Sequence, residues 1–129
     1  MRDWRCARVA LAVVAAAGAM ASTGAQAAEQ DREFFTGDTL YQRCAAAPAD
    51  LDYAASHAAC RAYVLGVSDA MQAAQGAGRG ATPAICLGDA DADKVVEQVT
   101  AYLSGHPENR RFAAPDVVAA ALRATYACR

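Results

Sequence analysis

The chain has 129 residues, of which 55% are hydrophobic but only 7% aromatic, and its formal net charge is −2. Its one Lys, Lys94, and its scattered Arg form no basic stripe, which argues against a nucleic-acid partner, since phosphate contacts need clustered cations. A chain this short and this rich in Ala has room for one domain with a thin core, because Ala buries little area and apolar burial yields about 25 cal/mol per Å2.

The first stretch reads as a secretory leader. Arg2, Arg5 and Arg8 form a positive start, and Val9 through Ala21 is an apolar run. Ala25-Gln26-Ala27 then offers small residues at the two positions that a signal peptidase reads, so residues 1–27 are expected to be removed. A membrane anchor needs roughly 20 apolar residues, and this run breaks earlier, into Ser22, Thr23 and Gly24. Cys6 precedes the run, so it is not placed as a lipoprotein acyl site. The expected outcome is export, with residues 28–129 as one domain that no membrane retains.

After a charged lead-in ending at Phe34-Phe35, a first helix is expected from Thr36, a candidate N-cap, with Asp38 in its first turn. It carries Leu40, Tyr41 and Cys44 and stops before Pro48. A second helix is expected from Asp50 or Asp52 to about Ala74. Its residues Cys60, Tyr63, Val64, Val67 and Met71 share one face. Gly66 interrupts it at about 1 kcal/mol relative to Ala. The expected reason is close approach of another helix, with a flat contact surface for a partner as the alternative. Tyr63 is expected in the core, and Asp69 on the helix rim or as a cap for a neighbouring turn. The glycines at 76, 78 and 80 read as a flexible connector, since no P-loop Lys-Ser/Thr follows them and no strand precedes them.

Asp89, Asp91 and Asp93 resemble the opening of a calcium loop, but Lys94 and Thr100 stand where that loop wants Gly and Glu. They are expected instead to cap a third helix, with its apolar face at Val95, Val96, Val99, Tyr102 and Leu103. Ser104-Gly105-His106-Pro107 ends it. A fourth helix has Pro115 in its first turn and a face of Val118, Ala121, Leu122, Thr125 and Tyr126. No segment alternates with period two. The expected fold is all-α, with four helices or possibly five.

Outside the leader there are four cysteines, Cys44, Cys60, Cys86 and Cys128, which in a short exported chain read as two disulfides. Four cysteines allow three pairings, and sequence alone does not choose among them. The pairing carried forward is Cys44–Cys60 with Cys86–Cys128. A metal centre is disfavoured, because there is no Cys-x-x-Cys and His57 and His106 lie far apart in the chain. Ser56-His57 makes no triad by itself, the spacing of Asp69 and Asp116 demands no pairing, and paired cysteines offer no nucleophile. No enzyme and no cofactor is expected.

The segments Thr36-Gly37-Asp38-x-Leu40-x-x-x-Cys44, Cys60-Arg61-Ala62-Tyr63-Val64-x-Gly66-x-x-Asp69-Ala70, Ile85-Cys86-Leu87, Val95 through Tyr102-Leu103, His106-Pro107 and Ala120-Ala121-Leu122 to Cys128 together resemble the Rap/Tai immunity-protein domain. The end of the chain departs from the family's usual Pro-Cys, with Ala127 before Cys128, and the glycine loop is peculiar to this chain. The resemblance implies a small helical fold, similar in shape to periplasmic acid-stress chaperones. It also implies a periplasmic protein that binds a peptidoglycan amidase delivered by type VI secretion and covers its Cys-His cleft, in some members as a homodimer. A stand-alone acid-stress chaperone is the alternative, and an envelope hydrolase a third reading. Candidate partner contacts are the loop residues Arg79, Thr82, His106, Glu108, Asn109, Arg110 and Arg111, since Arg is a frequent interface anchor.

Overall fold

A computed structural model describes residues 35–129; the leader and the Ala27–Ala28 cleavage point lie outside the described residues. The described chain is all-α. Helix α1 spans Gly37–Cys44, α2 Tyr53–Gly76, α3 Ala92–Gly105 and α4 Ala114–Tyr126, with a short 3-10 helix, η1, at Pro107–Arg111. Besides helices, the described residues hold two isolated antiparallel bridges, Thr36 with Ala113 and Ile85 with Ala127.

The helix starts follow from local chemistry. Thr36 accepts a hydrogen bond from the Thr39 amide at 3.2 Å, and Asp91 accepts from the Asp93 amide at 2.8 Å, each satisfying an orphan N–H of the first turn. The acidic run before α3 is therefore a cap. Asp52 precedes α2 without capping it and instead accepts from the Ser56 hydroxyl at 3.2 Å. Helix α2 runs to Gly76, past the expected end at Ala74, and at about 1.5 Å per residue is roughly 36 Å long.

That helix is the spine, packed against α1, α3 and α4. Its buried stripe is Ser56, Cys60, Val64 and Ser68, spaced by four. Val67 and Met71, expected on this face, are only partly buried, as is Tyr63. Ser68 is tolerated there because its hydroxyl donates to the Val64 carbonyl at 2.8 Å, so no polar atom is left unpaired. The core is completed by Leu40, Ile85, Val95, Val96, Val99, Leu103, Val117, Val118, Ala121 and Leu122. On α4 the buried face includes Ala114 and Val117, and Thr125, expected inside, is exposed.

Gly66 corrects a further expectation. It is exposed, and a Cβ built there meets nothing within 4 Å, so no helix approaches it. The close approach is at Gly37 instead, which is buried against the backbone of Arg110.

Two disulfides bind this small core. Cys44–Cys60 ties the end of α1 to α2 across a separation of 16 residues, and Cys86–Cys128 ties the loop before α3 to the chain end across 42. Closing such loops in the unfolded chain contributes on the order of 3 and 4 kcal/mol in the chain-entropy description. The glycine connector is anchored at its far end. The Gln75 side-chain amide donates through Nε2 to the Ile85 carbonyl at 2.9 Å and accepts at Oε1 from the Ile85 backbone N–H at 2.7 Å, while the Cys86 backbone N–H donates to the Tyr126 carbonyl at 2.7 Å. Gly78 turns the chain just after α2 at φ +68°, a conformation that L side chains rarely adopt.

Candidate functional site

The corner between α3 and α4 is built from the residues that end one helix and start the next. His106 closes α3, and its amide donates to the Tyr102 carbonyl at 3.0 Å. Its ring stacks on Tyr102 with centroids 4.1 Å apart, and Nδ1 lies 2.9 Å from the same carbonyl. Pro107 stands at the start of η1, where its missing N–H costs nothing. The Asn109 side-chain amide donates to the Tyr102 hydroxyl at 3.2 Å.

Arg110 turns inward. Its guanidinium lies 3.5 Å from the centroid of the Tyr41 ring, Nε donates to the Leu103 carbonyl at 2.7 Å, and Nη2 donates to the Ser104 carbonyl at 3.3 Å. It thus satisfies carbonyls in the last turn of α3 and places a cation at the negative end of that helix. A planar guanidinium can stack and donate at once, which an ammonium cannot match.

The next two residues point the other way. The Phe112 amide donates to the Asn109 carbonyl at 3.1 Å, and its carbonyl accepts from the buried Gly37 amide at 2.8 Å. The Ala114 amide donates to the Phe35 carbonyl at 2.9 Å. The backbone is therefore held on both sides of Phe112 while its side chain stays out, 47% exposed. The Arg111 guanidinium sits 4.9 Å from the Phe112 ring centroid. Beside the ring is a notch of about 280 Å3 lined by Asn109, Phe112, Asp116, Val117 and Ala120. The result is an aromatic and a guanidinium displayed on a fixed frame, with a shallow apolar recess next to them.

The seven loop residues singled out from sequence do not form one surface. Glu108 and Arg111 are exposed at this corner, while His106, Asn109 and Arg110 make the intramolecular contacts that hold it. Arg79 and Thr82 are exposed near the opposite end of α4, where Ile85 bridges to Ala127. The 13 residues of α4, about 20 Å of helix, run between the corner and that end. Tyr63 packs its ring on Phe35 at 5.1 Å, and Asp69 is exposed on α2 near Gly66.

A second concave surface, missed from sequence, lies between α2 and α3. It is a groove of about 710 Å3 with Tyr53, His57 and Arg61 on one wall, Asp93 and Glu97 on the other, and Tyr41, Val96 and Thr100 among its lining. Arg61 pairs with Asp93. Tyr53 and His57 pack ring to ring at 5.6 Å. Glu97 is bonded to Lys94 at 2.6 Å, and that hydrogen bond, with the carboxylate charge, holds the Lys94 ammonium above its ordinary range. The signal was present: Tyr53, His57 and Arg61 recur every four residues along α2, beside the apolar stripe.

Among the described residues, all four cysteines are in disulfides, and no group of three or more His, Cys, Asp or Glu is placed to hold a metal ion. A family model described as Rap1a immunity proteins matches residues 36–128. No curated protein and no solved structure gives a match.

Proposed function

The chain belongs to the Rap1a immunity protein family, and from that premise we propose that it is a periplasmic immunity protein which binds a type VI secretion peptidoglycan amidase and occludes its active cleft. The supporting observation is Phe112, a large apolar side chain exposed on a backbone that is hydrogen-bonded on either side. Binding through a preformed frame loses little entropy on association. An aromatic and an Arg beside a recess are the residue types that dominate interface energetics. Export rests on the expected leader in residues 1–27. No helix among the described residues is long and apolar enough to cross a membrane.

Inhibition by occlusion asks nothing catalytic of the chain. It needs a rigid edge that enters or covers the enzyme's cleft, which is what the corner offers. In a homodimer, two such corners would be available to two enzyme molecules.

The test is binding of the purified protein to the amidase encoded beside its gene, with inhibition of peptidoglycan cleavage as the second readout. Phe112→Ala and Arg111→Ala are expected to weaken binding by about 30-fold each, the size of a 2 kcal/mol anchor, while the thermal midpoint stays within about 2 °C. Absence of an amidase neighbour together with failure to bind any cell-wall hydrolase would overturn the reading.

A further inference from the structure

We propose that the Cys86–Cys128 cystine is a thiol–disulfide exchange site, opened by an external dithiol while Cys44–Cys60 stays closed. The two bonds differ in how exposed their residues are. Cys86 is exposed on the loop before α3, and Cys128, its partner at the chain end, is half-buried. Cys60 is 1% exposed within the core, and Cys44 is half-buried at the groove between α2 and α3.

Exchange needs a thiolate to approach one sulfur in line and the other sulfur to leave with the electron pair. At the Cys86–Cys128 pair, the dithiol's thiolate bonds to Cys86 Sγ, the Sγ–Sγ bond breaks, and Cys128 leaves as a thiolate that takes a proton from water. The dithiol's second sulfur then displaces Cys86 and closes its own disulfide, so two electrons pass from the dithiol to the cystine. At the other pair, attack on Cys60 is blocked by the core. Attack on Cys44 would create the leaving thiolate of Cys60 among Val64 and the other apolar residues that bury it, where desolvation disfavours the charge. The first route is blocked and the second disfavoured while the helices stay packed.

Opening Cys86–Cys128 does not require the domain to unfold. Ile85 is still held by Gln75, and the Cys86 and Cys128 amides still donate to Tyr126 and Ala84 at 2.7 and 2.9 Å. The bond is therefore a latch on the chain end, at the far end of α4 from Phe112.

The experiment treats the purified oxidised protein with graded dithiothreitol, quenches in acid, alkylates free thiols and maps them by mass spectrometry, with far-ultraviolet circular dichroism read in parallel. Cys86 and Cys128 are expected to be labelled at least about tenfold faster than Cys44 and Cys60, with the helical signal unchanged at the point where half of the first pair is open. Labelling of all four cysteines together, labelling of Cys44 and Cys60 first, or loss of helix in step with the opening of the first pair would each overturn the proposal.

Discussion

A methyl group placed on Gly37 would lie 2.9 Å from the Cα of Arg110 and 3.0 Å from its carbonyl oxygen. The start of α1 and the 3-10 helix η1 meet there, backbone to backbone, and the contact sets where Phe112 stands, because the Gly37 amide donates to the Phe112 carbonyl. Gly37→Ala must push η1 outward. The expected cost is about 2 kcal/mol, as for other overpacked sites, with the urea midpoint lowered. Amidase binding should fall as well, since the corner is displaced. A Gly37→Ala chain with unchanged stability would show that the two segments are not in close contact.

Gln75 does for Ile85 what a neighbouring strand would do, pairing both its N–H and its C=O through one side chain. Ile85 is 2% exposed, so Gln75→Ala leaves backbone groups unpaired next to the core. A loss of about 2 kcal/mol is expected. Gln75→Glu keeps the acceptor but sets a carboxylate against the Ile85 carbonyl, and should also destabilise. Denaturant titration of both variants is the check; equal stability of all three chains would mean the side chain does not anchor the loop. Gly80 supports the arrangement, since a Cβ there would lie 2.5 Å from Gln75 Cγ.

What could be read from sequence was what local chemistry decides. The Asp91 cap and the run of Val95, Val96, Val99 and Leu103 are contained within α3, and both are present in the structure. The buried stripe of α2 was harder, because Ser56 and Ser68 are polar by type and become core residues only once their hydroxyls find Asp52 and the Val64 carbonyl. The candidate site was less legible still. Arg110 and Arg111 are neighbours of the same type, yet one turns in because Tyr41, from a distant helix, offers its ring, and the other stays out. Phe112 is a lone aromatic between two Arg and two Ala, a pattern that fits a buried residue as well as an exposed one. Gly66 carries no mark that tells an open helix face from a crowded one. Each of these depends on a tertiary neighbour.

Tyr63 gives the fold an alkaline limit. Burial disfavours the phenolate and raises its pKa above the ordinary 10.0. The folded state then holds the proton more tightly than the unfolded state. This contribution is full below about pH 10 and is lost as the pH rises through the folded value. Stability should therefore decline on the alkaline side, and Tyr63→Phe, which keeps the ring against Phe35, should flatten that decline. Urea midpoints measured from neutral pH to above 10 test this. A slope identical in the two proteins would place the alkaline sensitivity elsewhere.

Gly66 predicts a change of the opposite sign. It sits within α2 with no atom within 4 Å of where a Cβ would go, and its φ lies outside the range that strains L residues. Ala at this place meets no clash and lowers the entropy of the unfolded chain. Gly66→Ala should therefore stabilise the protein by about 1 kcal/mol, a rise of roughly 4–8 °C in Tm for a domain of this size. A thermal melt decides it, because a close helix neighbour would make the same substitution destabilising. If the melt rises while amidase binding weakens, the open face around Gly66 belongs to the contact with the enzyme. If the melt rises and binding holds, the contact lies with Phe112 and Arg111 alone.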